Sequence, residues 1–351
     1  MATQQILFIG ATGYIGGTVL ARLLQPVKSS RNNTDNLNIT ALVRDAGKAQ
    51  LLEELGVSAV VGDTNDAPLL GRLAAEADVV FSMAESDNIG AAEALLAGCK
   101  MRFERTGEAP TVIHTSGAGI IADMGAMGDY SASPIWDDLD IARLATIAPT
   151  QLHRPVDLAL LASDDNGYIK SHIVVPPMVY GIARTVLVER GIQRPHHTLL
   201  THIVPPAVAR KRGGFIGAGK NVWGHVEVHE LADLFMLIFS ASPPRSGASG
   251  FYFAENGSYA MQDVADVISQ TLGCRRRCVC RVHYGHCVYR SRNEAILSHF
   301  RPGAAALIAS NARCRASRAR ALGWAPTKGT QDMMESVREV TRNYVLLSRA
   351  A

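Results

Sequence analysis

The sequence predicts an α/β protein built on a doubly wound parallel sheet, with a smaller C-terminal lobe. Short, wholly apolar runs recur along residues 6–115, and each is followed by a stretch whose apolar residues have helical spacing. The first run, Ile6–Ile9, leads directly into a glycine-rich turn. Strands with an unbroken apolar pattern are typical of parallel sheets that helices cover on both faces.

The predicted elements alternate regularly in the first part of the chain. Apolar runs predict strands at 6–9, 37–43, 57–61, 78–82 and 111–115, and helical spacing predicts helices at 18–24, 46–55, 67–75 and 90–105. Residues 117–150, rich in Gly, Ala, Ser and Pro, predict a long irregular connection. Beyond it the pattern predicts helices at 152–163, 199–209, 228–240, 260–272 and 330–347, and strands at 171–175 and 251–253. We therefore expect a first domain over 1–180 and a mixed α/β substrate lobe over 181–351 that returns to the first sheet.

The turn after the first strand carries the pattern G-x-x-G-x-x-G. Gly10 would permit the tight turn, Gly13 the close approach of a pyrophosphate, and Gly16 the packing of the helix on the strand. The free N–H groups and the dipole of the following helix would hold the phosphates. The turn therefore predicts a Rossmann-type dinucleotide site made by Gly10, Thr12, Gly13, Tyr14, Ile15 and Gly16.

Motifs along nearly the whole chain resemble the short-chain dehydrogenase/reductase superfamily. They are most similar to its extended and atypical branches, which include nucleotide-sugar epimerases and NmrA-like proteins. Besides the glycines, the resemblance lies in Ala41–Asp45, Gly62-Asp63, Thr115–Gly117, Pro176–Gly181, Val228–Leu234 and Leu322–Pro326. The resemblance implies that Asp63 hydrogen-bonds adenine, that Ser116 is the catalytic serine, and that Pro177 lies under a nicotinamide. It also implies a small-molecule substrate.

The end of the second strand distinguishes NAD from NADP. A carboxylate there would bind the ribose 2′-hydroxyl of NAD, whereas an arginine would bind the 2′-phosphate of NADP. Arg44 occupies this place, with Asp45 beside it and Lys48 one turn on. We therefore predict NADP as the cofactor. The alternative is NAD, with Asp45 on the ribose and Arg44 in solvent.

The superfamily's usual catalytic pair, Tyr-x-x-x-Lys, occurs nowhere in the sequence. Alignment of the helix before 171–175 puts His153 at the tyrosine position and Asp157 at the lysine position. In one interpretation His153 is the general acid and base, oriented by Asp157, while Ser116 hydrogen-bonds the substrate carbonyl and Tyr130 substitutes for the missing phenol. In the other, His153 and Asp157 form a surface pair and Ser116 is a strand-end hydroxyl.

Three functions therefore remain open from the sequence. The first is an NAD(P)-dependent oxidoreductase acting on a small carbonyl or hydroxyl compound, for example in secondary metabolism. The second is a nucleotide-sugar epimerase or dehydratase, against which the missing Tyr-x-x-x-Lys pair counts most. The third is an NmrA-like regulator that senses NADP without catalysing a reaction.

Charge and composition narrow the partners. The net charge of +3 does not favour a nucleic-acid partner. No apolar run reaches the about 18 residues that a membrane span requires. Residues 6–24 are apolar but follow no basic region and are broken by glycines, so we expect no signal peptide and a cytoplasmic protein. Homodimer formation is left open.

Residues 274–320 differ in composition from the rest of the chain. They contain eleven arginines, no lysine and one acidic residue. Four cysteines and two histidines lie close together there, namely Cys274, Cys278, Cys280, Cys287, His283 and His286. Their spacing matches no standard zinc pattern, so we predict no metal site and interpret the stretch as a surface insertion.

Overall fold

The computed structural model describes residues 3–25, 36–196, 198–274, 280–282 and 304–350. The strands are β1 (Gln4–Ile9), β2 (Leu37–Val43), β3 (Ser58–Val61), β4 (Val79–Ser82), β5 (Thr111–Thr115), β6 (Trp136–Asp137), β7 (Lys170–Val175), β8 (Met178–Tyr180), β9 (Gly214–Ile216), β10 (Val222–Glu227), β11 (Phe251–Phe253), β12 (Ser258–Ala260), β13 (Cys280–Val282) and β14 (Cys314–Arg315). The helices are α1 (Tyr14–Leu23), α2 (Ala46–Glu53), α3 (Ala67–Ala74), α4 (Ile89–Thr106), α5 (Ile141–Leu144), α6 (Arg154–Asp165), α7 (Val186–Glu189), α8 (Thr198–Arg210), α9 (Val228–Ala241), α10 (Met261–Thr271), α11 (Ala304–Ile308), α12 (Ser317–Ala321) and α13 (Thr330–Ala350).

A seven-stranded sheet forms the centre of the molecule, in the order β11-β7-β5-β4-β1-β2-β3. All its neighbouring strands are parallel. Consecutive residues of β4, β5 and β7 are buried, as expected when both faces of a sheet are covered. The predicted fold class is confirmed. The strand order reverses between β1 and β4, which is where open sheets of this kind bind their ligands.

Helices pack closely around the sheet. α1 contacts α9, while α4 contacts both α3 and α6. A glycine permits the approach of α3 and α4, because a Cβ at Gly98 would overlap the carbonyl oxygen of Gly71. None of the described helices is both long and apolar enough to cross a membrane. The resulting frame holds the carboxyl ends of β1, β2, β4 and β5 at one edge.

The chain after residue 180 contributes to both parts of the molecule. α9 packs on α1, and β11 extends the central sheet at its edge by pairing with β7. The remaining segments form a three-stranded sheet, β12-β10-β8, beside α8, α10 and α13. This lobe has its own apolar cluster, which includes Tyr180, Val204, Tyr259, Val264 and Val337.

Local structure departs from the sequence prediction in two regions. Residues 117–150 contain two 3-10 turns, Ala118–Ile121 and Met124–Ala126, as well as β6 and α5. No strand is predicted at β8, β10 or β12. β8 and β12 have only three residues each, and β10 pairs with β8 across a large sequence separation, with Val226 opposite Val179.

Candidate active site

The glycine turn between β1 and α1 has the shape of a phosphate cradle. Gly10 has a φ of 95°, and a Cβ there would lie 2.7 Å from the carbonyl oxygen of Met83. A Cβ at Gly16 would overlap the carbonyl oxygen of Gly10. Gly13 caps α1 without any side-chain hydrogen bond. Gly13 has no side chain that could cap the first N–H groups of α1. An anion site at a helix N-terminus requires such uncapped N–H groups.

A groove of about 430 Å³ opens over this turn at the carboxyl ends of β1, β2, β4 and β5. Eight of the predicted residues line it: Gly10, Thr12, Gly13, Tyr14, Ile15, Gly16, Arg44 and Ser116. Asp63 lies just outside the lining, where its Oδ1 accepts the backbone N–H of Asn65 at 2.8 Å, while Gly62 and Thr64 face the groove. The residues present thus fit a dinucleotide laid across the strand ends.

Two arginines line the groove, together with one carboxylate, Glu85. Arg44 is exposed at its wall, beyond the end of β2. The neighbouring carboxylate of Asp45 caps α2 by accepting the backbone N–H of Lys48 at 2.9 Å. Arg194 also lines the groove, and its backbone N–H donates to the carbonyl of Thr12 at 3.3 Å. No sequence motif indicates Arg194, since only the fold brings it to the glycine turn.

A second cavity, of about 260 Å³, adjoins the groove. Ile15 and Ser116 line both spaces, and Pro177 lines the second. Its other walls are mostly apolar and come from both parts of the chain, including Ala118, Met178, Val179, Trp223, Tyr259, Met261, Leu307 and Ile308. Among the described residues of this lining there is no Lys, Arg, Asp or Glu. The cavity therefore suits an uncharged molecule.

Ser116 and Asp157 form a buried pair beside the cavity. The hydroxyl of Ser116 donates to Oδ2 of Asp157 at 3.0 Å. The Asp157 side chain is 0% exposed, and this burial raises its pKa to about 7, although the hydrogen bond from Ser116 acts in the opposite direction. Asp157 is thus not a surface residue.

His153 reaches the same cavity from the start of α6. Its ring Nδ1 lies 2.9 Å from Oδ1 of Asp87 and 3.0 Å from Oγ of Ser86. The other ring nitrogen, Nε2, lies beside Gly117, which lines the cavity. A Cβ at Gly117 would lie 2.9 Å from Nε2. A carboxylate at Nδ1 keeps the proton on that nitrogen and leaves Nε2 toward the cavity.

This geometry corrects both sequence interpretations of His153 and Asp157. The carboxylate that orients His153 is Asp87, not Asp157, whose hydrogen-bond partner is Ser116. His153 and Asp157 do not form a surface pair either, because Asp157 is fully buried. The hydrogen bond from His153 lowers the pKa of Asp87, which therefore stays ionised. Asp87 follows β4 and lies far from His153 in sequence, so no local sequence pattern indicates that the two residues are in contact.

Tyr130 is not brought to this site. Its hydroxyl donates to Oδ2 of Asp123 at 3.0 Å, and it lines neither of the two spaces. The phenol that lines the cavity is Tyr259, in β12, whose pKa is raised by burial. Sequence reasoning misses Tyr259 because β12 reaches the cavity only through the pairing of β12 with β10.

Leu307 and Ile308 of the stretch 274–320 line the cavity, but none of its cysteines does within the described residues. The described end of this stretch is not a surface insertion, because Ala312, Ala316 and Ala319 are buried in the main core. Cys274 donates from Sγ to the carbonyl of Lys211 at 3.1 Å. Cys278, Cys287, His283 and His286 lie outside the described residues. Among the residues that are described, no group of three or more His, Cys, Asp or Glu side chains could hold a metal ion.

The chain resembles known proteins at two levels. Residues 2–101 match the model of the NmrA-like family. A curated relative, named oxidase ucsJ, from Acremonium sp., is 26% identical over 287 residues, which cover 76% of this chain and 78% of that protein. The predicted resemblance to NmrA-like proteins is therefore confirmed for the N-terminal part.

Solved structures share the fold along almost the whole chain. The dTDP-glucose 4,6-dehydratase of Bacillus anthracis, in complex with NAD, has a TM-score of 0.64 at 15% identity and covers 97% of both chains. A nucleoside-diphosphate-sugar epimerase from Pseudomonas aeruginosa has a TM-score of 0.61 at 17% identity, covering 97% and 98%. The UDP-glucuronic acid 4-epimerase of Bacillus cereus, in complex with UDP-glucuronic acid and NAD, has a TM-score of 0.62 at 13% identity, covering 97% and 99%. These similarities establish the extended Rossmann-type fold.

Proposed function

We propose that the protein is an NADP-dependent oxidoreductase that interconverts a small, uncharged carbonyl compound and its alcohol. One arrangement carries the proposal. Ile15 and Ser116 line both the dinucleotide groove and the apolar cavity, and His153 faces the cavity beside them. A bound nicotinamide would exchange a hydride with the substrate carbon at this junction.

The groove residues would hold the cofactor through backbone and charge. The N–H groups at the start of α1 would bind the pyrophosphate, with Arg194 adding positive charge beside Thr12. Arg44 would bind the 2′-phosphate, because the carboxylate of Asp45 caps α2 rather than presenting itself to a ribose. Several solved relatives are complexes with NAD, which supports a nicotinamide dinucleotide in general.

The cavity residues would transfer a proton to and from the substrate oxygen. In reduction the doubly protonated ring of His153 would give its Nε2 proton to the substrate oxygen, and in oxidation Nε2 of the neutral ring would take that proton back, while Asp87 holds Nδ1–H and keeps the ring in one orientation. The hydroxyl of Ser116 would hydrogen-bond the same oxygen. Together these groups would replace the absent Tyr-x-x-x-Lys pair.

The lining also favours a simple substrate over a nucleotide sugar. A nucleotide diphosphate requires cationic partners, and the described residues of the cavity include no Lys or Arg. The curated relative is named an oxidase, which agrees with redox chemistry.

A titration with NADPH and with NADH tests the cofactor assignment. Wild-type protein should bind NADPH more tightly, and Arg44→Ala should weaken NADPH by about ten- to a hundredfold while leaving NADH nearly unchanged, since a hydrogen bond to a charged group contributes about 1.5–3 kcal/mol. Arg342→Ala, at an exposed position of α13, is the matched control. Failure of both nucleotides to bind would refute the proposal, and equal binding of the two would refute its NADP part. Purified protein with NADPH would then be screened against apolar ketones and aldehydes.

A non-catalytic NADP sensor is the second candidate. The match of residues 2–101 to the NmrA-like family and the missing Tyr-x-x-x-Lys pair favour it. NADPH oxidation that depends on an added carbonyl compound, and that His153→Ala abolishes, would decide for the enzyme. Tight NADPH binding without turnover across the screen would decide for the sensor.

A further inference from the structure

The carboxyl of Asp157 is held in an unusual setting beside the cavity. It is fully buried one turn into α6, and only Oδ2 has a hydrogen-bond partner among the described residues, the hydroxyl of Ser116. Its Oδ1 lies 4.0 Å from Nε2 of His114, in β5, which also lacks a partner there. The chain thus buries an acid whose single hydrogen bond reaches a cavity-lining hydroxyl.

The protonation state of this acid decides what Ser116 offers to the cavity. An ionised carboxylate only accepts hydrogen bonds, so Ser116 must donate its single proton to Asp157 and presents lone pairs to a ligand. A neutral carboxyl can donate to Oγ of Ser116 instead. The Ser116 O–H is then free to donate into the cavity.

We propose that Asp157 is a positioning residue that switches Ser116 between hydrogen-bond donor and acceptor, and thereby selects a carbonyl ligand or an alcohol ligand. A carbonyl oxygen only accepts hydrogen bonds, so it requires the donor state of Ser116. An alcohol can donate its proton to Ser116 in the acceptor state. The inference rests on the proposed function, because it assigns the direction preference of that same site.

The surroundings of Asp157 make both states accessible near neutrality. Burial favours the neutral form and raises the pKa of Asp157 to about 7. The hydrogen bond from Ser116 and the charges of His153 and Arg154, at the start of α6, favour the ionised form, while Asp87, after β4, opposes it. His114 faces Asp157 from β5, but burial lowers its pKa to about 4, so it stays neutral.

Binding of a matched ligand pair tests the switch without requiring turnover. The probes are cyclohexanone and cyclohexanol, which share one ring and differ at the oxygen. Their affinities would be followed through the fluorescence of Trp223, which lines the cavity, at about pH 5.5 and about pH 8.5, on either side of an acid that titrates near neutrality. The ketone should bind about five- to tenfold tighter at the lower pH, and the alcohol should show the opposite trend.

Two variants separate this role from a structural one. Asp157→Asn keeps the side-chain shape and an N–H donor toward Ser116, so it should prefer the ketone at both pH values. Ser116→Ala should bind both probes with no pH-dependent preference. Infrared spectroscopy of the wild type should show the protonated carboxyl bands of Asp157 and Asp138 titrating near neutrality, and Asp157→Asn should lose the first band and keep the second.

The outcomes distinguish the failure of the switch from the failure of the proposed function. If both probes bind but their affinity ratio is independent of pH, or if Asp157→Asn keeps the wild-type pH dependence, the switch is refuted and the proposed function stands. If neither probe binds at either pH, the assignment of the cavity to carbonyl and alcohol ligands fails, and the switch fails with it.

Discussion

His153 holds a left-handed backbone conformation, with a φ of 66°, that residues other than glycine seldom adopt. Asp87 accounts for it, because one carboxylate oxygen accepts the backbone N–H of His153 at 2.8 Å and also contacts ring Nδ1 at 2.9 Å. Strained backbone of this kind persists where its surroundings hold it firmly, often at functional sites. The same carboxylate therefore fixes both the main chain and the ring.

The first prediction concerns the ring of His153. His153→Asn should lower kcat roughly a hundredfold or more, the contribution expected of a general acid and base. Asparagine tolerates the left-handed conformation, so the melting temperature should stay near that of the wild type. The assay is reduction of a carbonyl compound that the wild-type protein accepts. A variant with unchanged kcat would show that His153 is not the proton donor.

The second prediction concerns Asp87 as a positioning residue. Asp87→Ala should lower kcat less than His153→Asn does, because the imidazole remains but its orientation and tautomer are no longer held. Asp87→Asn keeps an oxygen acceptor for Nδ1–H and should retain more activity than Asp87→Ala. Ring ¹⁵N chemical shifts of His153 should report one tautomer in the wild type and a mixture in Asp87→Ala. Identical shifts in the two proteins would contradict this role.

At the scale of elements, the contact between β1 and α1 depends on the absence of side chains. A Cβ at Gly16 would overlap the backbone of Gly10, which directly follows the central strand β1. Apolar runs predict β2 and β11 to the residue, and β1 and β4 to within two residues, because continuous burial leaves a local pattern. β8 leaves no such pattern because it has only three residues, and β10 leaves none because Gly224, His225 and Glu227 interrupt its apolar residues.

The third prediction tests this turn. Gly16→Ala should lower the free energy of unfolding by about 1–3 kcal/mol, the typical effect of overpacking, and should weaken NADPH binding. Gly329→Ala is the matched control, since a Cβ there meets no atom within 4 Å, and its effect should stay within about 0.5 kcal/mol. Denaturant unfolding and nucleotide titration give both numbers. Equal effects of the two substitutions would contradict the close approach seen in the structure.

At the scale of the whole molecule, burial of titratable groups makes stability depend on pH. Burial lowers the pKa of His114, His172 and His225 to about 4, so these side chains stay neutral in the folded protein. Burial raises the pKa of Asp138 and Asp157 to about 7. The histidines therefore make the folded protein less stable as the pH falls, whereas the two aspartates make it less stable as the pH rises. The two groups partly cancel, so a single-residue variant is needed to isolate one contribution.

The fourth prediction uses His172, which lies buried in β7 with no partner for Nδ1 among the described residues. Between pH 6.5 and about 4 the unfolded chain takes up a proton at this residue and the folded protein does not, so the wild type loses stability as the pH falls. His172→Leu removes this loss. Its stability relative to the wild type should rise by at most roughly 3 kcal/mol over that interval, measured by denaturant unfolding. A difference that does not change with pH would contradict the prediction.

The sequence by itself determined the parallel sheet, the glycine turn and eight of the groove residues, because apolar runs and glycine spacing are local properties of the chain. It also placed Ser116, His153 and Asp157 near one another through the family alignment. Only the tertiary structure decided how these residues pair: Asp87 with His153, and Asp157 with Ser116. The physical reason is that a hydrogen bond forms only when the donor and acceptor atoms are placed to within tenths of an ångström. Here these atoms lie on segments that are far apart in sequence.

Tertiary structure also decided which further residues reach the site. Tyr259 lines the cavity although Tyr130 lies nearer to Ser116 in sequence, because β12 pairs with β10 while Tyr130 is held by Asp123. Arg194 reaches the groove through a backbone contact with Thr12. These placements follow from the packing of the second lobe against the sheet, which no local pattern in the sequence encodes.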